Sequence, residues 1–168
     1  TGEYLLYHSD LSVNENVAVS EFLISEVFSK VPYRCIIAGK NPPGHLSAKI
    51  SPYDNISLIS NPDNERMDEL IKNAHINVLP TMAANGLKLK LLISLFSGRH
   101  CLVNSTTING SGLYTLCHIA DTSDKMVQKI HSLMYLPFSE EMISEREIIL
   151  SRNNDNINNA KKLVELIF

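Results

Sequence analysis

Two lysines set two residues apart, Lys88 and Lys90, are the groups best placed to do chemistry in this sequence. They fall in the first turn of a segment, Gly86 to Gly98, whose apolar periodicity predicts a helix closed by a glycine. At about 100° per residue, Lys90, Ser94 and Ser97 share one narrow arc. Leu87, Leu89, Leu91, Leu92, Ile93, Leu95 and Phe96 fill nearly all the rest, and a helix this apolar belongs at the centre of a fold. Its amino end carries unsatisfied N–H groups and a partial positive charge, which favour phosphate and disfavour lysine. Lysines there either flank a bound anion or carry their amines out to water along their own methylene stems.

The elements that must position this helix read as strands and helices in alternation. Tyr4 to His8 is a short apolar run, taken as strand one. Ser12 followed by Glu15 fits a capping box, and Val19, Phe22, Leu23 and Val27 continue at helical spacing until Pro32. Tyr33 to Ala38 is strand two, followed by a turn-rich loop from Gly39 to Gly44. Ile56 to Ile59 is strand three. Pro62 suits the first turn of a helix that places Met67, Leu70, Ile71 and Ala74 on one face. Ile76 to Leu79 and His100 to Val103 are strands four and five, Thr106 to Gly112 is loop, and Tyr114 to Ile119 is a sixth strand. Asp121 to Met134, Glu140 to Leu150 and Asp155 to Ile167 read as terminal helices.

This alternation predicts an α/β fold of βαβ crossovers around a parallel sheet of about six strands. Ligands of such sheets bind beyond the carboxyl ends of the strands. The loops to inspect therefore hold His8-Ser9, Gly39-Lys40, Ser60-Asn61 and Thr81 to Gly86. Lys40 reads either as a phosphate contact or as a solvated loop lysine, and Ser60 and Asn61 either as ligand contacts or as a helix cap ahead of Pro62.

Composition narrows the function classes. The 168 residues are close to one domain in size, and 44% hydrophobic with 20% charged residues is globular composition. Fifteen Lys and Arg against 18 Asp and Glu give a net charge of -3, which argues against a broad cationic surface and against nucleic acid as a partner. Cys35, Cys101 and Cys117 lie in apolar runs without paired spacing, so reduced core cysteines and no zinc cluster are expected. With no signal-like start and no apolar stretch long enough for a membrane span, a cytoplasmic protein is expected. Entry into a strand almost at Thr1 suggests a chain cut from something longer. A Gly-x-Ser-x-Gly elbow and a Gly-x-Gly-x-x-Gly turn are both missing, which argues against a serine hydrolase of that type and an NAD enzyme.

The stretch Asn85-Gly86-Leu87-Lys88-Leu89-Lys90-Leu91-Leu92-Ile93-Ser94-Leu95-Phe96-Ser97-Gly98, with the strand after it, resembles the donor-binding signature of retaining GT-B glycosyltransferases (group 1, family 4-like). Tyr7 to Asn16, Ile37 to Lys40 and Asn73 to Pro80 are similar to other segments of that family, in its order, so the likeness covers roughly residues 4 to 135. It implies a Rossmann-like, three-layer αβα domain, residues 1–168, with 139–168 as terminal helices. This would be the C-terminal, donor-binding half of a two-domain enzyme whose N-terminal acceptor half is a separate partner. It implies transfer of a sugar from a nucleotide diphosphate sugar, with no metal or other cofactor, in polysaccharide or glycoconjugate synthesis. Lys88 and Lys90, with the N–H groups of Gly86 and Leu87, would hold the diphosphate. Ser9 and Lys40 would reach the phosphates or sugar, Asn85 a sugar hydroxyl, and Ser60 and Asn61 the base. The family commonly carries two glutamates where Asn85 and Ile93 stand, and cations after strand one where this chain offers Asp10 and Asn16. A non-catalytic nucleotide-sugar-binding module of the same fold is the alternative.

Overall fold

The structure is a computed structural model and describes residues 2–82 and 89–152. The chain divides into two units, Thr1–Pro137 and Phe138–Phe168. In the first, six strands form one all-parallel sheet: β1 (Leu5–Asp10), β2 (Cys35–Lys40), β3 (Ile56–Ser60), β4 (Ile76–Val78), β5 (His100–Val103) and β6 (His118–Ile119). Their order across the sheet is β3-β2-β1-β4-β5-β6. The expected α/β, Rossmann-like architecture is therefore present.

Side chains alternate across each strand, and the alternation assigns the helices to two layers. Leu6 and Ala38 face α3 (Asn64–Asn73), packing with Tyr4 and Ile36 against Leu70, Ile71 and Ala74, joined by Ile93 of α4 (Leu89–Ser97). Tyr7, pointing the other way, meets α1 (Asn14–Phe22) through a hydrogen bond from its hydroxyl to the Asn16 carbonyl. On this second face α1 packs against α2 (Gly44–Ile50), and α6 (Ser123–Met134) packs on the π-helical turn Leu23–Val27 that continues α1. Burial of each large aliphatic side chain in these layers contributes roughly 1.5–3 kcal/mol.

β1 is the strand at which the sheet changes direction. It runs beside β2 over its whole length, from Leu5↔Cys35 to Asp10↔Lys40. Against β4 it pairs only at Leu5↔Ile76 and Leu6↔Asn77. Beyond that point Leu79 N–H bonds the Leu102 carbonyl, so the chain leaves β1 and follows β5. A crevice consequently opens beside the carboxyl half of β1.

Several local expectations are corrected. The Ser12–Glu15 capping box does not form: α1 is capped by Val13 without a side-chain bond, because Ser12 turns back to the Asp10 carboxylate. Pro62 precedes the cap of α3 instead of entering its first turn, and Asp63 supplies the cap by accepting from Arg66 N–H. Where the expected loop Gly39 to Gly44 ends, α2 begins, in a stretch with no expected element, because the helix is too short to show apolar periodicity. Thr106 to Gly112 is partly helical, in α5 (Ser105–Ile108), and the sixth strand shrinks to two residues after a 3-10 turn at Tyr114–Leu116. Gly98 follows α4 without a positive φ. A Cβ there would lie 2.5 Å from Asn77 Nδ2 and 2.8 Å from the Ser94 carbonyl, so it serves close packing.

The histidines outside the crevice are more organised than their scatter in sequence suggested. At the amino ends of β4 to β6, His75 Nε2 donates to the Leu133 carbonyl, and its Nδ1 accepts from Gly2 N–H. The His100 ring stands edge-on to His75 and meets His118 at 3.2 Å. In the second unit, α7 (Glu140–Arg152) is present and the Arg146 guanidinium lies 4.5 Å from the Phe138 ring centroid. The helix expected over 155–167 lies outside the described residues.

Gly39 joins fold to crevice. It sits opposite Ser9 in the β1–β2 register, and a Cβ on it would overlap the Ser9 carbonyl oxygen and press on Leu11. Gly39→Ala is expected to cost about 2 kcal/mol or more, read as a lower denaturant midpoint in urea unfolding. A variant as stable as the parent would contradict this packing.

Candidate functional site

The crevice lies at the topological switch point, where β1 has β2 on one side and parts from β4 on the other. Doubly wound sheets bind ligands at this position. Its floor is the carboxyl half of β1, and its walls are the first turns of α1 and α4.

Lys90 spans it. The side chain starts on α4, in the layer below the sheet, and ends beside α1, in the layer above. Nζ lies 3.5 Å from Asn16 Oδ1 and 5.0 Å from the Tyr7 ring centroid. Asn16 is itself oriented, because its Nδ2 donates to the Asp10 carbonyl at 2.8 Å. One amide thus ties the exit of β1 to the amine of α4. Ser94, one turn further along the same arc of α4, accepts or donates at 2.9 Å with His8 Nε2.

The electrostatics follow from burial. His8 is almost sealed from solvent, and desolvation, helped by the Lys90 charge, lowers its pKa from 6.5 to about 3. It is a neutral hydrogen-bonding group at physiological pH, which leaves Lys90 as the positive charge beside it. Burial also pushes the Tyr7 phenol up, so its ring stays uncharged beneath the amine. Ser9 Oγ, next on the strand, is enclosed and has no hydrogen-bond partner of good geometry. An enclosed hydroxyl without a well-formed bond is suited to an incoming acceptor.

The other expected site residues are placed less centrally. Lys40 ends β2 in register with Asp10, and both are exposed. The Asp10 carboxyl is held below the usual carboxylate range first by the Ser12 hydroxyl and amide, with a smaller contribution from Lys40. Ser60 is the exposed last residue of β3. Asn61 has a φ of 51°, donates its N–H to the Gly39 carbonyl, and accepts from Asn41 N–H at 2.7 Å. Its side-chain oxygen therefore staples two loops, and the cap role weighed for Ser60 and Asn61 passes to Asp63. Asn85, Gly86, Leu87 and Lys88 lie outside the described residues. Among the described residues no group of three His, Cys, Asp or Glu side chains could hold a metal ion, and no helix is long and apolar enough to cross a membrane.

Sequence reasoning missed Glu15 and Asn104. Thr81, just past β4, is buried; its hydroxyl donates to Glu15 Oε1 at 3.0 Å. Asn104 accepts from Thr81 N–H at 3.1 Å and donates to its carbonyl at 2.8 Å. Both partners are polar residues at helix starts, where capping is the ordinary expectation. Asn104 does cap α5 as well; Glu15 does not cap α1.

The fold is shared with solved glycosyltransferase structures. The chain is similar to α,α-trehalose 6-phosphate synthase from Burkholderia multivorans, at 11% identity and a TM-score of 0.68, over 99% of this chain and 42% of that one. It is also similar to AviGT4, a glycosyltransferase involved in avilamycin A biosynthesis (16%, 0.65, 99% and 51%). A glycosyltransferase from Rickettsia africae gives 11%, 0.63, 99% and 47%. The chain spans about half the length of these proteins, and its fold is that of one Rossmann-like half of a GT-B glycosyltransferase. No protein-family model and no curated protein matches the sequence.

The low pKa of His8 makes a signed prediction. The unfolded chain takes up this proton below about pH 6.5, whereas the folded chain resists it down to about pH 3. The contribution is fully present above pH 6.5 and is lost as pH falls through that window, by at most about 1.4 kcal/mol per pH unit. Urea unfolding at pH 7, 6, 5 and 4 should show a shallower loss for His8→Gln than for the parent chain. Identical slopes would contradict a buried neutral imidazole.

Proposed function

We propose that this chain is the donor-binding half of a glycosyltransferase, which moves a hexose from a nucleotide diphosphate sugar to an acceptor hydroxyl held by a separate half. The observation carrying this reading is the Lys90 amine, stretched across the switch-point crevice of a fold shared with glycosyltransferase halves. When the glycosidic bond breaks, negative charge develops on the leaving diphosphate. A fixed cation and N–H dipoles in a water-poor crevice stabilise that charge without having to reorganise. Lys90 takes the diphosphate, joined by Lys88 and the N–H groups of Gly86 and Leu87. Ser9 offers its hydroxyl to a phosphate or sugar oxygen, and Asn85 contacts a sugar hydroxyl. Lys40, Ser60 and the Asn61 amide line the route from the crevice toward the β3 edge, where the base would lie. Alone, this half holds donor but does not turn it over; its setting is polysaccharide or glycoconjugate synthesis in the cytoplasm.

A second reading, a non-catalytic nucleotide-sugar-binding module, is favoured by Ile93. It stands where the resemblance calls for a ribose-binding glutamate, and it packs into the core beside α3. Turnover on rejoining an acceptor half separates the two readings.

Thermal unfolding with UDP, GDP and their sugar conjugates tests what both readings share. One nucleotide at about a hundredfold excess over its Kd should add roughly 2.7 kcal/mol, several degrees in Tm. Lys90→Ala, compared with its own ligand-free Tm, should bind about ten- to a hundredfold more weakly through loss of a charge-assisted contact. No shift with any nucleotide, or an undiminished shift in Lys90→Ala, would overturn the assignment.

A further inference from the structure

We infer that Ser94 is a positioning residue for Lys90: its hydroxyl, bonded to His8, fixes the seat of α4 on β1 from which the amine enters the crevice. This rests on the donor-binding reading. Three observations carry it. First, Ser94 turns away from its own helix. Ser20, Ser25 and Ser29 each donate to the carbonyl four residues earlier, the usual back-bond of a helical serine. Ser94 Oγ instead lies 2.9 Å from His8 Nε2. Second, the bond stands at the level where β1 has lost a neighbouring strand. β4 pairs with β1 at Leu5 and Leu6 and has parted from it at His8, so a side-chain bond to α4 takes over where the ladder stops. Third, Ser94 and Lys90 lie one turn apart on one arc, and the strand residues they meet are neighbours. Ser94 meets His8, and Lys90 Nζ lies 5.0 Å from the Tyr7 ring centroid.

The other buried residues of α4 are Leu91 and Leu95. Apolar contacts hold a helix down without fixing its roll or slide, whereas a hydrogen bond has a direction. The pair is buried as well, Ser94 wholly and His8 nearly so. Polar groups enclosed in this way are costly unless each finds the other, so a shift of α4 that parts them is penalised. A lysine stem is flexible, and its amine is placed no better than the helix that carries it. An apolar pair of similar shape would hold α4 equally well and would leave its roll unspecified. Substitution at both positions therefore separates holding the helix from aiming the amine.

The experiment is isothermal titration of the 168-residue chain and its variants with UDP, GDP and inorganic pyrophosphate, beside urea unfolding of each. Ser94→Ala should bind about three- to tenfold more weakly than the parent, the size of a typical coupling within one polar network. His8→Leu combined with Ser94→Ala removes both polar groups. That double variant should regain the urea midpoint of the parent while its affinity stays about three- to tenfold lower. His8→Gln keeps a polar group for the Ser94 hydroxyl and should bind within about twofold of the parent. With Lys90 already replaced by alanine, adding Ser94→Ala should change affinity by less than about twofold, because no amine is left to aim. The positioning role is overturned, and the donor-binding reading left intact, by parental affinity in Ser94→Ala or in the double variant. A His8→Gln chain as weak as Ser94→Ala, or a loss that persists in full without the Lys90 amine, overturns it equally. Failure of the parent chain to bind any of the three probes removes both.

Discussion

The early parting of β1 from β4 is the constraint from which the rest of the site follows. Two paired residues hold these strands together before the chain turns to β5. Polar backbone at the end of β1 then faces a gap, and something with charge or hydrogen-bonding capacity must fill it. The protein fills it with Lys90. An amine on one helix layer reaches the other layer because no strand stands between them at that level.

The surroundings keep that amine aimed. Its nearest ring, Tyr7, presents a buried, uncharged face. The adjacent imidazole of His8 cannot compete as a second cation, since burial holds it neutral. Asn16 receives the amine weakly, at 3.5 Å, and is itself fixed to the Asp10 carbonyl. A phosphate oxygen would offer the amine a charge-assisted bond roughly twice as strong as a neutral one. Glu15 and Thr81 set the opposite margin of the same gap.

Much of this was legible in the residues. Helical spacing placed Lys90 and Ser94 on one arc, and both face the switch point. The alternation of continuous apolar runs with amphipathic segments identified the parallel sheet, because buried parallel strands need apolar residues on both faces. What sequence could not show was partner choice among polar groups. Ser12 and Glu15 have the spacing of a capping box, but an Asp10 carboxylate two residues back and a Thr81 hydroxyl across the crevice outcompete the helix start for them. Asn61, read as a ligand contact or a cap, leaves the cap to Asp63 and locks two loops in left-handed turns. The short α2 escaped because it is not long enough to display a period, and the expected sixth strand, Tyr114 to Ile119, is present only at His118–Ile119. His75, His100 and His118 lie far apart in the chain, and their association comes from strand register alone.

A crystal structure of the chain grown with UDP examines the Lys90 crossing most directly. The account requires a phosphate oxygen within about 3.2 Å of Lys90 Nζ, a normal charge-assisted distance, with the amine released from Asn16. Density for UDP elsewhere on the sheet, with Lys90 still resting on Asn16, would contradict it.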